Sequence, residues 1–424
     1  MSKLEYKRIG RYIELLTDYH SNGSYKTLKN NVELLPQKNY AIMIRTLNFE
    51  RNDFSEDLIY VDKHAYEYLS KSKVFPNDIL TNKIANPGSI YIMPDLHTFV
   101  TCGMNLFLIR FSKEVNQRYM YYCMKNSEKS IKELAHGTTT KTITKDDVRS
   151  ISLFMHTDIN EQNKIEQLLT SIDKKIDRNN KINDNLEQQV KLLYDYWFTQ
   201  FDFPDESDKP YYSSGGKMVW NHSLKRNIPE GWEVQSIISN HLSFVIKPGV
   251  EHFDTKIYLA TADVKGTSIS AGTLISYEGR ESRANMQPSV NSVWFAKMKK
   301  SMKHLCLNKE MLPIISNSIL STGFCGLQCE EISFEYIASY ISNSYFETHK
   351  DMLAHGATQE AVNNDDLAGV YIVIPKDSVL QAYHNITQPI YAQISKNICE
   401  NQELTKLHDW LLPMLMNGQA TISD

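Results

Sequence analysis

At 424 residues and 42% hydrophobic, the chain is too long for one core, since single cores stop growing at about 250 to 300 residues, and two or more domains are expected. A formal net charge of −4 excludes a uniformly basic surface that coats nucleic acid, so any DNA contact has to come from local patches. Six cysteines without framework spacing, no apolar run of about 18 residues and a start without secretory features give the expectation of free thiols, no membrane and a cytoplasmic setting.

In the first region, Ser21 to Lys26 has turn chemistry, and the apolar run Tyr40 to Ile44 reads as a strand delivering Arg45, Thr46, Leu47 and Asn48. Loops on a rigid scaffold gather binding residues, so Asn22, Ser24, Tyr25, Lys26, Arg45, Thr46 and Asn48 are candidate DNA contacts. A turn or cap role is the alternative for each. Asn86-Pro87-Gly88-Ser89 reads as a plain turn, because it lacks the aromatic on which a flipped base would stack. Further on, Thr138, Thr139 and Lys141 follow Gly137 as candidate phosphate contacts.

An internal repeat then organises the chain. Leu134-Ala135-His136-Gly137 recurs as Leu353-Ala354-His355-Gly356, a shift of 353 − 134 = 219, which also matches Thr139 with Thr358 and Asp146-Asp147 with Asp365-Asp366. Each copy continues into a strand-like run, Ile151 to His156 and Val370 to Pro375, and then into helical sequence. In the first helix Ile165, Leu169, Ile172, Ile176, Asn179, Asn183, Leu186, Val190, Leu193 and Trp197 alternate by four and three, the seam of a coiled coil. Ile394, Ile398, Asn401 and Leu412 answer Ile172, Ile176, Asn179 and Val190 at a shift of 222, three residues having been added near the helix start. Asn179 and Asn401 are candidates for fixing how the helices align, a solvated helix edge being the alternative.

Phe203 to Gly216 is rich in breakers and reads as a linker. Beyond it Tyr258 to Lys265, again strand then polar residues, offers Thr261 and Lys265 as counterparts of the first domain's contacts. Arg280, Arg283, Lys297, Lys299, Lys300 and Lys303, with Glu281 the sole acid between Arg280 and Lys303, form the strongest basic patch, and Asn285 within it can bond a base edge. Its alternative is a solvated basic face. No phosphate loop or dinucleotide turn is present. His304, Cys306, Cys325 and Cys329 have irregular spacing for zinc, and His136 and His355 lack a motif partner for catalysis, so loop anchoring is expected of them.

The run Leu169 to Ile176, then Asn179 to Asn183, Leu193 to Phe198 and Phe201 to Pro204, resembles the central conserved region of Type I restriction-modification specificity subunits. Asn401 to Leu404 and Leu411 to Gly418 are similar to that family's distal region, Ile228-Pro229-Glu230-Gly231-Trp232 to the opening of its second recognition domain, and Gly356-Ala357-Thr358-Gln359 to a domain-closing loop. The N-terminus lacks the Pro-Glu-Gly-Trp opening, and Thr140 stands where the second copy has Gln359. The resemblance implies a non-catalytic reader of a two-part, asymmetric double-stranded DNA target. It also implies two modification (methyltransferase) subunits and restriction (translocase and nuclease) subunits as partners, to which S-adenosylmethionine, ATP and Mg²⁺ would belong, with no cofactor or metal in this chain.

The expected fold is α+β: target-recognition domains at 1–155 and 201–375, separated by helices at 156–200 and 376–424 that form an antiparallel coiled coil. Ile172, Ile176, Asn179, Leu186, Ile394, Ile398 and Asn401 are its expected pairing residues. By analogy with two-fold readers the half-sites would lie about 34 Å apart. A coiled-coil scaffold for proteins alone and a self-contained DNA-modifying enzyme are the alternatives.

Overall fold

The computed structural model describes residues 4–270, 272–357 and 359–422, so Thr358 lies outside the described residues. The chain divides into two compact units, one running to Asp173 and resuming at Lys406, the other spanning Lys174–Thr405.

The first unit carries β1 (Leu4–Arg8), β2 (Ile13–Asp18), β3 (Ala41–Ile44), β4 (Ile59–Val61), β5 (Lys73–Val74), β6 (Ile79–Asn82), β7 (Ile90–Ile92), β8 (Phe99–Cys102), β9 (Leu106–Phe111) and β10 (Ser152–His156). β1 pairs with β10, while β2-β9-β6-β7 forms an antiparallel sheet. The order β4-β3-β8-β5 makes a second sheet in which β3 and β8 run parallel. Its run Ala41-Ile42-Met43-Ile44 is buried on both faces, the continuous apolar pattern expected of a covered parallel strand.

Strand for strand, the second unit repeats this topology. Glu233–Ser236 and Tyr371–Ile374 pair as β1 and β10 do. Ser243–Val245, Phe324–Cys329, Ser292–Ala296 and His304–Leu307 take the order of β2-β9-β6-β7. Thr273–Ser276, Thr255–Leu259, Ser318–Ser321 and Ala284–Met286 take that of β4-β3-β8-β5 and keep the parallel central pair. The second unit also holds a hairpin of Met218–Asn221 with Arg226–Pro229 and a short one at Val264–Lys265 and Ser268–Ile269.

Two long helices span Ile159–Tyr194 and Asp377–Met416, the first continuing into a wider π turn at Asp195–Thr199. All ten seam positions of the first are buried or half-buried. Helix starts are offset by 377 − 159 = 218 and the seam by 394 − 172 = 222, so the added residues lie inside the second helix. They amount to about one turn, which keeps the seam on the same face.

In the second unit Lys175 meets Glu400 (3.0 Å), Asn397 Nδ2 donates to Asn183 Oδ1 (2.7 Å) and Trp197 packs on Tyr383, so the helices run antiparallel. Asn179 Nδ2 donates to Asn401 Oδ1 (2.9 Å) and Glu400 Oε2 (2.7 Å). Since Asn179 and Asn401 are repeat equivalents, a local pseudo-dyad of the pair falls on them. Ile172 is buried and Ile176 half-buried, whereas Leu186, Ile394 and Ile398 pack with Leu259 and Trp294 in the core of the second domain, so part of the seam holds that domain to its helices.

Asn183 and Asn397 are both buried. Removing Asn183 leaves the buried Asn397 Nδ2 without its acceptor, at a cost of about 1–3 kcal/mol, while replacing both with apolar groups is nearly neutral. Urea denaturation should therefore show Asn183→Leu losing stability of that order and Asn183→Leu/Asn397→Leu recovering most of it.

Candidate nucleic-acid interface

In the first unit the registers Asp18↔Phe107, Asn82↔Leu106 and Ile44↔Cys102 bring the exits of β2, β3 and β6 to the end where the chain turns from β8 to β9. Backbone bonds tie the loops there: Gly103 N donates to Ile44 O (2.9 Å), Lys83 N to Asn105 O (2.8 Å) and Ile143 N to Lys83 O (3.0 Å). The second unit repeats two of these ties, with Lys297 N on Gly323 O (2.9 Å) and Val362 N on Lys297 O (3.0 Å), while its turn bonds to a different strand, Thr322 N on Arg283 O (2.8 Å). Lys83 thus corresponds to Lys297 at a shift of 297 − 83 = 214.

Several predicted contacts turn out to shape this end. Asn48 Oδ1 accepts from Arg45 N (3.0 Å) as Asp263 Oδ2 accepts from Ala260 N (2.8 Å), so the two strand exits have the same capped turn. Thr46 Oγ1 donates to Asn82 Oδ1 (2.7 Å), and the Arg45 guanidinium donates to Asp57 O. Asn22 is fully occupied, donating to Tyr19 O (2.9 Å) and Ser72 Oγ (2.8 Å) and accepting from Lys71 N (2.9 Å). Ser24 Oγ accepts from Thr27 N (3.3 Å) and caps the helix Tyr25–Asn31, on whose first turn Tyr25 and Lys26 are exposed.

The glycine loops are geometric copies. His136 exchanges two backbone bonds with Thr142 (3.0 and 2.9 Å), as His355 does with Ala361 (3.1 and 3.0 Å). Gly137 and Gly356 have φ of 120° and 140°, and a Cβ on either would lie 2.4 Å from the carbonyl oxygen of Thr140 or Gln359, so only glycine fits. His136 Nδ1 lies 3.7 Å from Asp147 Oδ2 and His355 Nδ1 3.5 Å from Asp366 Oδ2. Those carboxylates accept the backbone N–H of Thr144 (2.7 Å) and Asn363 (3.0 Å), so each histidine anchors a loop beside a capped turn. Thr138, Thr139 and Lys141 project from the first loop into solvent.

Charge is handled differently in the two units. In the first, Lys83 Nζ (2.8 Å), Lys145 Nζ (3.0 Å) and Ser21 Oγ (2.6 Å) all donate to the Asp18 carboxylate. Burial alone would raise the Asp18 carboxyl, but these bonds and the Lys83 charge bring it down to about 2. In the second, Lys299 pairs with Glu360 (2.9 Å), and the Lys303 ammonium donates to Thr261 O, which joins two predicted segments. Arg280 stacks over Tyr277 at 3.8 Å and Asn285 is half-buried, whereas Arg283, Lys300 and Lys265 are exposed. Lys83, Lys145 and the turn Gly103–Asn105 had no motif to flag them; alignment of Lys83 with Lys297 would have been the signal.

Cys102, Cys123, Cys325 and Cys329 are buried and Cys306 and Cys399 half-buried, all as free thiols. His304 Nε2 meets Glu347 Oε1 (2.9 Å), and among the described residues no group of three or more His, Cys, Asp or Glu could hold a metal ion. No helix among them is long and apolar enough to cross a membrane.

The chain thus holds the same loop-bearing domain topology twice, together with a pair of long helices. A family model described as Type I restriction modification DNA specificity domain matches residues 20–188. Over 395 residues, 85% of each chain, the protein is 24% identical to the Type I restriction enzyme MjaIX specificity subunit of Methanocaldococcus jannaschii. It is 22% identical over 423 residues to the HindI specificity subunit of Haemophilus influenzae, covering 82% of this chain and 88% of that one. The crystal structure of a Type I restriction-modification system S subunit from M. genitalium shares the fold, with a TM-score of 0.54 at 13% identity over 98% of this chain and 96% of that one. Over most of its length the chain is thus similar to DNA specificity subunits of Type I restriction-modification systems.

Asp18 gives a pH signature. Its folded pKa is depressed, so its contribution is complete above the unfolded value of about 3.9 and is lost as pH falls through about 2. Asp18→Asn should cost about 3 kcal/mol at pH 7 as a broken buried pair. In thermal unfolding across pH, the gap between variant and parent should stay constant above pH ~5 and close toward pH ~2.

Proposed function

We propose that the chain reads a two-part, asymmetric DNA sequence, residues 1–155 taking one half-site and 201–375 the other, each through its loop-bearing end. The observation that carries this reading is the duplicated end itself: the same backbone ties hold different side chains in the two copies. Thr138, Thr140 and Lys141 stand where the second copy has Ala357, Gln359 and Glu360, so one frame presents two chemistries. Phosphate contacts supply affinity and register while base-edge contacts specify sequence. Tyr25, Lys26, Thr138, Thr139 and Lys141 in the first domain, and Lys265, Arg283 and Lys300 in the second, are exposed for such contacts; Ser24, Asn22, Arg45, Thr46, Asn48, Thr261 and Lys303 set the loops that present them.

In this reading the helices at 156–200 and 376–424 dock two methyltransferase subunits, and restriction subunits complete the assembly in the cytoplasm. Leu192 and Trp410, 70% and 57% exposed on these helices, are apolar surface of the kind partners cover. S-adenosylmethionine, ATP and Mg²⁺ belong to those partners, and the chain chooses where they act.

Single-molecule sequencing for methylated adenine, in cells expressing the chain with its partners, should return a two-part motif. Exchanging residues 1–155 for those of a relative should change one half of it; a change in both halves, or no motif, contradicts the assignment. Arg283→Ala and Lys300→Ala should each weaken binding across all sequences and lower the slope of log affinity against log salt by about one.

A further inference from the structure

We propose that Glu360 is a restraint on DNA binding by the second domain: it holds the Lys299 ammonium on a carboxylate that an incoming phosphate has to displace. The inference rests on the loop-bearing end being the DNA surface and adds which residue limits its affinity.

The pair is built rather than incidental. Lys299 Nζ meets both oxygens of Glu360, at 3.0 and 2.9 Å, and Lys299 N donates to Glu360 O (3.0 Å). The neighbouring residues Met298 and Ala361 bridge antiparallel, and Val362 N donates to Lys297 O, so backbone bonds on both sides hold the two side chains in register. The side chains are 33% and 48% exposed, at the edge of solvent where a phosphate can compete. Among the acids beside this basic turn, Asp351 is engaged with a backbone group, accepting from Lys300 N at 3.0 and 3.1 Å, whereas Glu360 engages a cation.

The repeat sharpens the argument. Position 360 − 219 = 141 is Lys141, and position 299 − 214 = 85 is Ala85, so the first domain carries a cation on the glycine loop and, apart from Lys83, which is held by Asp18, has none on the facing turn. The second domain moves the cations to the turn and sets an acid opposite them. An exposed ion pair contributes little to stability, so its consequence lies in what else Lys299 could bind. A phosphate arriving at Lys299 meets the charge of Glu360, and both the repulsion and the exchange of partners reduce affinity whatever the sequence.

The test is equilibrium binding of the full chain, assembled with its methyltransferase subunits, to a duplex carrying its methylated sequence and to a scrambled duplex at several salt concentrations. Glu360→Gln should tighten both several-fold at about 0.1 M salt and steepen the log–log salt slope by about one, as one more phosphate is engaged. Lys299→Ala should cancel that gain in the double variant. Unchanged or weaker binding by Glu360→Gln, in a protein that melts like its parent, overturns the proposal, as does a gain that survives Lys299→Ala. Lys300→Ala and Arg283→Ala separate the two layers. If they weaken binding while Glu360→Gln does nothing, the surface stands and the restraint falls; if none of the three matters, the DNA surface itself lies elsewhere.

Discussion

Each loop-bearing end hangs on the backbone of a single lysine. Lys83 donates its N–H to the β8–β9 turn and accepts at its carbonyl from the stem of the glycine loop, and Lys297 does the same in the second domain. Main-chain groups carry no sequence information, so this tie survives whatever side chains surround it. It couples loops from distant parts of the chain to a rigid pair of sheets, and the loops are then free to differ. Without it the glycine loop would keep only the backbone bonds across its own stem and would not be fixed to the sheets.

The division of labour follows from the same physics. Cores and ladders tolerate few chemistries, because buried polar groups need partners and buried volume must be filled. The helix seam keeps its asparagines because each has a named partner across the interface: Asn179 with Asn401, and Asn183 with Asn397. Exposed loops have no such requirement, and there the two copies diverge even in the sign of their charge, with Lys141 against Glu360.

How much of this was legible in the sequence depended on register. Around His136 and His355 the two copies keep one shift, so identities line up and the repeat and the strand after it could be read directly, while the helix seam, at a shift of 222, is legible from its heptads. Elsewhere small insertions change the shift, to 214 at Lys83 and Lys297, and the equivalence disappears from any fixed-offset comparison although the backbone preserves it. The capped turns at Arg45 and Ala260 show the other limit: Asn48 and Asp263 do the same job with different residues, and polar residues after a strand look alike whether they cap a turn or meet a ligand. The Asp18 cluster was invisible because its members, Ser21, Lys83 and Lys145, come together only once the sheets form.

The asparagine contact on the pseudo-dyad has one more consequence. Two asparagines facing each other by symmetry could exchange a matched pair of bonds, but here the amide of Asn179 gives a proton to the oxygen of Asn401, while the amide of Asn401 turns aside to Asn180 Oδ1 (2.8 Å). The bond therefore has a direction. Two repeat-equivalent residues thus take different roles within one contact, and the helix pair is polar where its sequence repeat is symmetric.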